Sequence, residues 1–218
     1  MARAFITVGM GFGDEGKGAT VDFLCRRLNA GLVIRYSGGC QCGHNVIAPS
    51  GRRHPCAQFG AGTFAGARTH LADQVIIDPL AMAREAAALV AEGVAAPYRR
   101  LTVDPACLVA TPYHRELNRC LERVQQHGTC GMGVGETRRY WLQYGGDALL
   151  AEDLVYRRQT RLKLELMRQR MLATHNWPEL RELSPQRVAD QLFSAARNIY
   201  MSYLPSLDGG PIVFEGAQ

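Results

Sequence analysis

An acid pair set inside a glycine loop is the first feature with chemical consequences. Residues 9–22 read GMGFGDEGKGATVD and fit the phosphate-loop spacing G-x-x-x-x-G-K from Gly11 to Lys17. The pattern then breaks, because Gly18 stands where a Ser or Thr hydroxyl would hold magnesium beside a nucleotide. Gly11, Gly13, Gly16 and Gly18 permit positive φ angles and a close approach, so successive backbone N–H groups can converge on an anion. Lys17 adds a point charge, and a helix starting there adds its positive end. A bare carboxylate repels phosphate, so Asp14 and Glu15 make sense only with a divalent cation or a proton-transfer task. Asp14 can then be the metal ligand that Gly18 cannot be, or a base toward a second substrate. The plainer alternative is a tight strand-to-helix turn carrying two exposed acids.

A second cluster of chemistry-bearing residues follows. Cys40, Cys42, His44, His54 and Cys56 form C-x-C-x-H…H-x-C, which can be written as a mixed-ligand zinc site. The spacing matches no standard finger or ribbon, and C-x-C suits one tetrahedral ion only across a tight turn. Unligated loop cysteines are the competing reading. The chain has seven cysteines, an odd number, which in a reducing compartment are free thiols packed as small apolar groups.

The elements that must position these residues alternate between strand and helix. Ala4 to Val8 is a short apolar run leading into the glycine loop, and Val21, Leu24, Cys25 and Leu28 recur at helical spacing after it. Strand, glycine turn and helix in that order are the context a phosphate site requires. Leu32 to Tyr36 reads as a second strand, followed by the loop SGGCQCGHN. A helix is expected from Pro79 to Glu92, with Leu80, Ala83, Ala87 and Val90 on its inner side and Gly93 ending it. Leu101 to Val103 reads as a strand. Tyr113 to Gln126 reads as a helix with a Leu117, Cys120, Leu121 and Val124 stripe, and a second glycine loop, HGTCGMGVGE, comes directly after it. Residues 152–204 read as mostly helical, with a capped start at Ser184-Pro185, and PIVFEGAQ is an apolar strand with its following turn.

This alternation predicts an α/β class, with a central, mostly parallel sheet, a glycine-rich phosphate loop after the first strand, and flanking helices. One domain over 1–218 is expected, with a helical insertion at about 110–205. Ligands of such sheets bind beyond the carboxyl ends of the strands, where the loops at Gly9, Ser37 and Glu215 should lie. The net charge of +5 is dispersed in pairs such as Arg26-Arg27, Arg52-Arg53 and Arg99-Arg100, which favours small anions over nucleic acid. No apolar run reaches the roughly 18 to 20 residues that cross a bilayer, and the N-terminus has no signal-peptide cleavage pattern. The expectation is a cytoplasmic protein without membrane or nucleic-acid partners.

Four stretches together resemble one family. GDEGKG at 13–18 followed by Val21-Asp22 resembles the amino-terminal signature of adenylosuccinate synthetase, a GTP-dependent ligase of purine biosynthesis. IRYSGGCQCGHN at 34–45 is similar to its RYxGGxNAGH segment, HGTCGMGVG at 127–135 to its GTTxxGIG-type loop, and VFEGAQ at 213–218 to its FEGAQG segment. The matches run in family order across the whole chain but cover only the first half of a typical member.

The resemblance implies a two-step reaction. An aspartate of the GDEGKG loop takes the N1 proton of IMP while the 6-oxygen attacks the γ-phosphate of GTP; L-aspartate then displaces the 6-phosphoryl group. On that basis Asp14 and His44 are the catalytic residues, base and general acid. GTP would be held by Gly13, Asp14, Glu15, Gly16, Lys17, Gly18, Ala19, Gly43, His44 and Asn45. IMP, or a related purine nucleotide, would meet Asp14, Glu15, Gly16, Lys17, Gln41, Cys42, Gly43, His44, Thr129, Cys130 and Gln218. One Mg2+ would sit on Asp14 and the Gly43 carbonyl, and the family's shared site implies a homodimer.

Departures concentrate at the nucleotide-phosphate end. Gln41 replaces an asparagine and Cys42 an alanine; Cys130 replaces a threonine expected to bond the IMP phosphate, and a thiol is the poorer donor. Met132 stands at a common arginine, and Tyr144 falls where an arginine reaching across the dimer is expected, with Arg138 and Arg139 nearby. The family's aspartate loop and guanine-selecting acidic motif would follow FEGAQ, so a fragment, a truncated frame or a half-length relative is expected. Two alternatives to an active ligase remain: a catalytically impaired nucleotide-binding relative, and the zinc module.

Overall fold

The apolar run at the N-terminus needs a partner strand, and the chain supplies it from its other end. In the computed structural model, which describes residues 3–203, 205, 207 and 210–217, β1 (Ala4–Thr7) leads through the glycine loop into α1 (Lys17–Leu28) and then β2 (Leu32–Arg35). A hairpin follows, β3 (His44–Ile47) and β4 (Arg53–Cys56), and then β5 (Arg68–Leu71), β6 (Ile76–Ile77), α2 (Pro79–Ala91), β7 (Leu101–Val103) and β8 (Leu108–Val109). Five helices come next: α3 (Pro112–Gln125), α4 (Val134–Tyr144), α5 (Arg157–Thr174), α6 (Pro178–Glu182) and α7 (Pro185–Ala196). Two strands, β9 (Tyr200–Met201) and β10 (Ile212–Glu215), complete the described order.

The main sheet has six strands in the order β1-β10-β2-β5-β7-β9, and every neighbouring pair is parallel. One register row crosses it near the carboxyl ends: Thr7, Glu215, Arg35, Leu71, Val103 and Met201. The last strand is thus inserted between the first two, which brings the turn after Glu215 beside both N-terminal loops. Two short pairs stand apart, antiparallel β3-β4 and parallel β6-β8.

Two apolar clusters hold the layers. The smaller joins Val21 and Cys25 of α1 to Val33, Val46, Cys56 and Val213, so the helix after the glycine loop is clamped onto the sheet and the hairpin. The larger gathers Leu71, Ile77, Met82, Leu89, Val103, Tyr113, Leu164, Met167 and Leu192 from β5, β6, α2, β7, α3, α5 and α7. Complete burial of one such side chain, Leu89 for example, stabilises by about 1.5–3 kcal/mol.

Caps agree with the sequence at several ends. Asp78 accepts from the Leu80 and Ala81 N–H groups at 2.9 and 3.0 Å with Pro79 in the first turn, and Ser184 caps α7 ahead of Pro185. The expected inner stripe of α2 is corrected: Met82, Glu85, Ala86 and Leu89 are buried, whereas Val90 is exposed. An alanine-rich helix has weak periodicity, and its inward row includes a charged residue with its own bonding partners. Glu85 accepts N–H groups from Ala57, Gln58 and Phe59 at 2.8–3.0 Å, tying α2 to the segment after β4. In α3, Leu117 and Cys120 face inward as expected, but Val124 lies outside, and Tyr113, His114 and Asn118 complete the buried face.

Candidate functional site

The loop between β1 and α1 is built around three left-handed residues. Gly13, Asp14 and Gly16 have φ of 106°, 56° and 77°, so Asp14 holds a conformation that glycine adopts freely and that aspartate enters more readily than most other residues. Gly16 is the N-cap of α1 and supplies no side-chain cap, which leaves the first N–H groups of the helix turned toward the loop.

Inside this loop the Glu15 carboxylate gathers three donors. Its Oε1 accepts from the Gly11 N–H at 2.9 Å and the Gly13 N–H at 3.2 Å, and its Oε2 pairs with Lys17 Nζ at 2.5 Å. The hydrogen bond from Lys17, then those from the two amides, bring the Glu15 carboxyl down to about 2. Lys17 is buried at the floor of the loop.

Gly18 answers for the missing hydroxyl. A Cβ built there would lie 2.5 Å from Cβ of His44, so the start of α1 packs directly on the first residue of β3 and no side chain fits between them. The close contact sets His44 across from the loop. Its Nδ1 lies 2.5 Å from Oε1 of Glu215, and the other carboxylate oxygen of Glu215 accepts from the Ala61 N–H at 3.0 Å. Burial alone would raise the Glu215 carboxyl, but Arg35, the His44 hydrogen bond and the Ala61 amide together bring it below the ordinary carboxylate value. Arg35, itself buried one strand away, donates to the carbonyls of Ala57 and Cys42, the latter at 3.2 Å.

These elements enclose one cavity of about 480 Å³ lined by Asp14, Glu15, Gly16, Lys17, Gly18, Gln41, Cys42, Gly43, His44 and Asn45. That volume lies within the range of small-molecule sites. Two loops that are far apart in sequence therefore meet at the carboxyl end of the sheet, as parallel sheets require of their ligand sites. Among the described residues, no hydrogen-bond or ion-pair partner holds the exposed Asp14 carboxylate, in contrast to its neighbour Glu15. The free Asp14 carboxylate is an oxygen donor of the kind a hard divalent ion such as Mg2+ takes, and Gly43, on the other loop of the same cavity, brings a backbone carbonyl to the lining, so the residue types fit.

Of the remaining expected site residues, Gly13 shapes the loop and Ala19 lies in the first turn of α1, neither lining the cavity. Thr129 and Cys130 are also outside that lining. Thr129 bonds Asn118 and Glu122 of α3, and Cys130 is exposed. Gln218 lies outside the described residues. Tyr144 packs on Tyr140 and under the Arg170 guanidinium, Arg138 bonds the Gln74 carbonyl, and Arg139 pairs with Glu136. Glu215 and Arg35 were not singled out as site residues from the sequence; a charged residue ending an apolar strand of a parallel sheet was the available signal.

The zinc alternative does not assemble. Among the described residues no three His, Cys, Asp or Glu side chains are grouped to hold a metal ion. His44 turns to Glu215 and His54 faces Glu85 at 3.6 Å, while Cys40 and Cys56 are buried with thiols pushed up by desolvation, Cys40 to about 11. No described helix is long and apolar enough to cross a membrane.

The adenylosuccinate synthetase family model matches residues 6–218. The adenylosuccinate synthetase of Thioalkalivibrio sulfidiphilus is 28% identical over 232 residues, and that of Nitrosococcus oceani 30% over 242 residues; each alignment takes in all of this chain and 52% of the relative. The chain thus spans about half the length of the curated relatives it matches. The fully ligated adenylosuccinate synthetase of Plasmodium falciparum shares the fold, with a TM-score of 0.83 at 16% identity over the whole chain and 51% of its own. A succinoaminodeoxyadenylate synthetase of cyanophage S-2L, solved with dGMP and dATP, shares it at a TM-score of 0.56 and 18% identity, with the same coverage. The match of the family model over nearly the whole chain places this protein in the adenylosuccinate synthetase family.

Proposed function

We propose that this chain carries the phosphoryl-transfer half of a GTP-dependent ligase that joins a purine nucleotide, IMP in the first reading, to L-aspartate. The observation that supports it most is the meeting of Asp14 and His44 on one cavity, with the histidine fixed from behind by Glu215. Asp14, on the loop after β1, takes the N1 proton of the purine. The 6-oxygen then attacks the γ-phosphorus of GTP, the bond to the β-γ bridging oxygen breaks, and GDP leaves. His44 faces the transferring phosphoryl group from the other loop and donates to it as charge develops. Lys17 and the glycine-loop amides hold the phosphates once Glu15 gives up those contacts. Mg2+ on Asp14 and the Gly43 carbonyl supplies charge neutralisation for the phosphates when bound. The amine of aspartate then attacks C6 and phosphate departs.

The dispersed charge and the small, polar cavity favour nucleotides over nucleic acid, and a homodimer follows the family. A cytoplasmic setting accords with free thiols at Cys25, Cys40 and Cys107. The test is GDP release by the purified chain supplied with GTP, Mg2+, IMP and aspartate, each omitted in turn. IMP-dependent GDP release is expected; nucleotide binding without release identifies a binding relative that does not turn over. A related purine acceptor is the second reading, since the phage protein of this fold was solved with dGMP; replacing IMP by dGMP in the same assay separates the two.

A further inference from the structure

We propose that Glu15 is an internal occupant of the anion cradle, which an incoming phosphate must displace before the site can be used. This inference rests on the phosphate reading of the loop given above. The groups that would greet a phosphate are the Gly11 and Gly13 amides and the Lys17 ammonium, and all three are already bonded to the Glu15 carboxylate. The fit against the strand end is close: a Cβ added at Gly9 would stand 2.6 Å from Glu15 Oε2 and 2.8 Å from Lys17 Nζ. The carboxylate thus already engages the loop's donors beside the strand end, and an incoming phosphate must compete with it for them.

Displacement sets a threshold for ligands. A monovalent anion such as chloride offers one charge and no second acceptor, so it cannot replace a carboxylate that uses both oxygens. A di- or triphosphate carries more charge and several oxygens in the right spacing, and it wins the exchange. Glu15 lines the same cavity as Gln41, Cys42 and His44, so its carboxylate, once released, stays beside the acceptor side of the site. The same residue thus keeps the loop ordered when empty and screens which anions enter.

Calorimetric titration of inorganic pyrophosphate, without Mg2+, into wild type, E15Q and E15A tests this, because the probe has no purine and reports the cradle alone. Thermal melts check that the variants are folded; Glu15 is a surface residue, and either variant alone carries the comparison. Pyrophosphate should bind E15A about tenfold more tightly than wild type, as expected if the self-filled loop is open in about a tenth of molecules, with E15Q between. Wild-type binding that E15A leaves unchanged or weakens would overturn the displacement and leave the phosphate reading intact. Absence of binding by all three proteins would overturn both.

Discussion

Nδ1 of His44 lies 2.5 Å from Oε1 of Glu215, a carboxylate with no exposed surface on the last described strand. The contact bridges 171 positions of sequence and fixes which ring nitrogen does what: Nδ1 belongs to Glu215, and Nε2 is left for the cavity. It also couples the site to the core, because Glu215 is the charge set in register with buried Arg35. Replacing Glu215 by Ala leaves that guanidinium uncompensated and should cost about 3–5 kcal/mol of stability. H44A should cost less, about 1.5–3 kcal/mol, since Glu215 keeps Arg35 and the Ala61 amide. Urea denaturation of the two variants measures the order; a larger loss in H44A would contradict it.

Restoring the hydroxyl of a standard phosphate loop should damage this one. In G18S and G18A the new Cβ meets His44 Cβ at 2.5 Å, so β3 or α1 must move. The expected cost is about 1–3 kcal/mol, with weaker GTP binding because His44 and the loop separate. Denaturant midpoints and GTP titration check both; a serine variant as stable as wild type and binding as well would show that Gly18 is not there for packing.

Acid should weaken the fold before most carboxylates titrate. His114 is buried on α3, its Nδ1 accepts from the Thr111 N–H at 3.1 Å, and burial brings its pKa from 6.5 down to about 3. The unfolded chain takes up this proton near pH 6.5 and the folded chain does not until about 3, so stability is complete above 6.5 and falls as pH drops toward 3. The slope contributed is up to about 1.4 kcal/mol per pH unit. Glu215 adds to the loss at lower pH, since its carboxyl is held below 4.5 in the folded state and its stabilisation disappears as pH falls through that depressed value. Urea midpoints followed from neutral pH to pH 4 should fall more steeply in wild type than in H114N; parallel curves would remove His114 from the account.

The parts of the fold visible in the sequence were those whose local signals agree with their tertiary role. β1, β2, β7 and β10 are apolar runs, and α1, α3 and α7 show period, proline or cap at the expected places. β5 was not visible because RTHL looks polar; its Thr69 and His70 are buried only because Gly60 N–H and Thr102 supply partners from other segments. α4 was hidden inside the second glycine loop, where Gly133 caps a helix instead of continuing a turn. At the site, the spacing of Gly11 to Lys17 points to the first loop, and the family resemblance of residues 34–45, not their spacing, points to Gln41 to Asn45 on the second. Glu15 as an internal anion and Glu215 behind His44 were not legible, because both are consequences of side-chain direction and of strand order.

Asp14 carries the central claim, that this cavity moves a proton and a phosphoryl group between nucleotides. The direct measurement is the initial rate of GDP release from GTP in the presence of IMP, wild type against D14N, with GTP affinity measured on both proteins. Loss of the base should lower the rate at least about 100-fold while GTP affinity changes little. A D14N protein that releases GDP at the wild-type rate would contradict the assignment of Asp14 and the mechanism built on it.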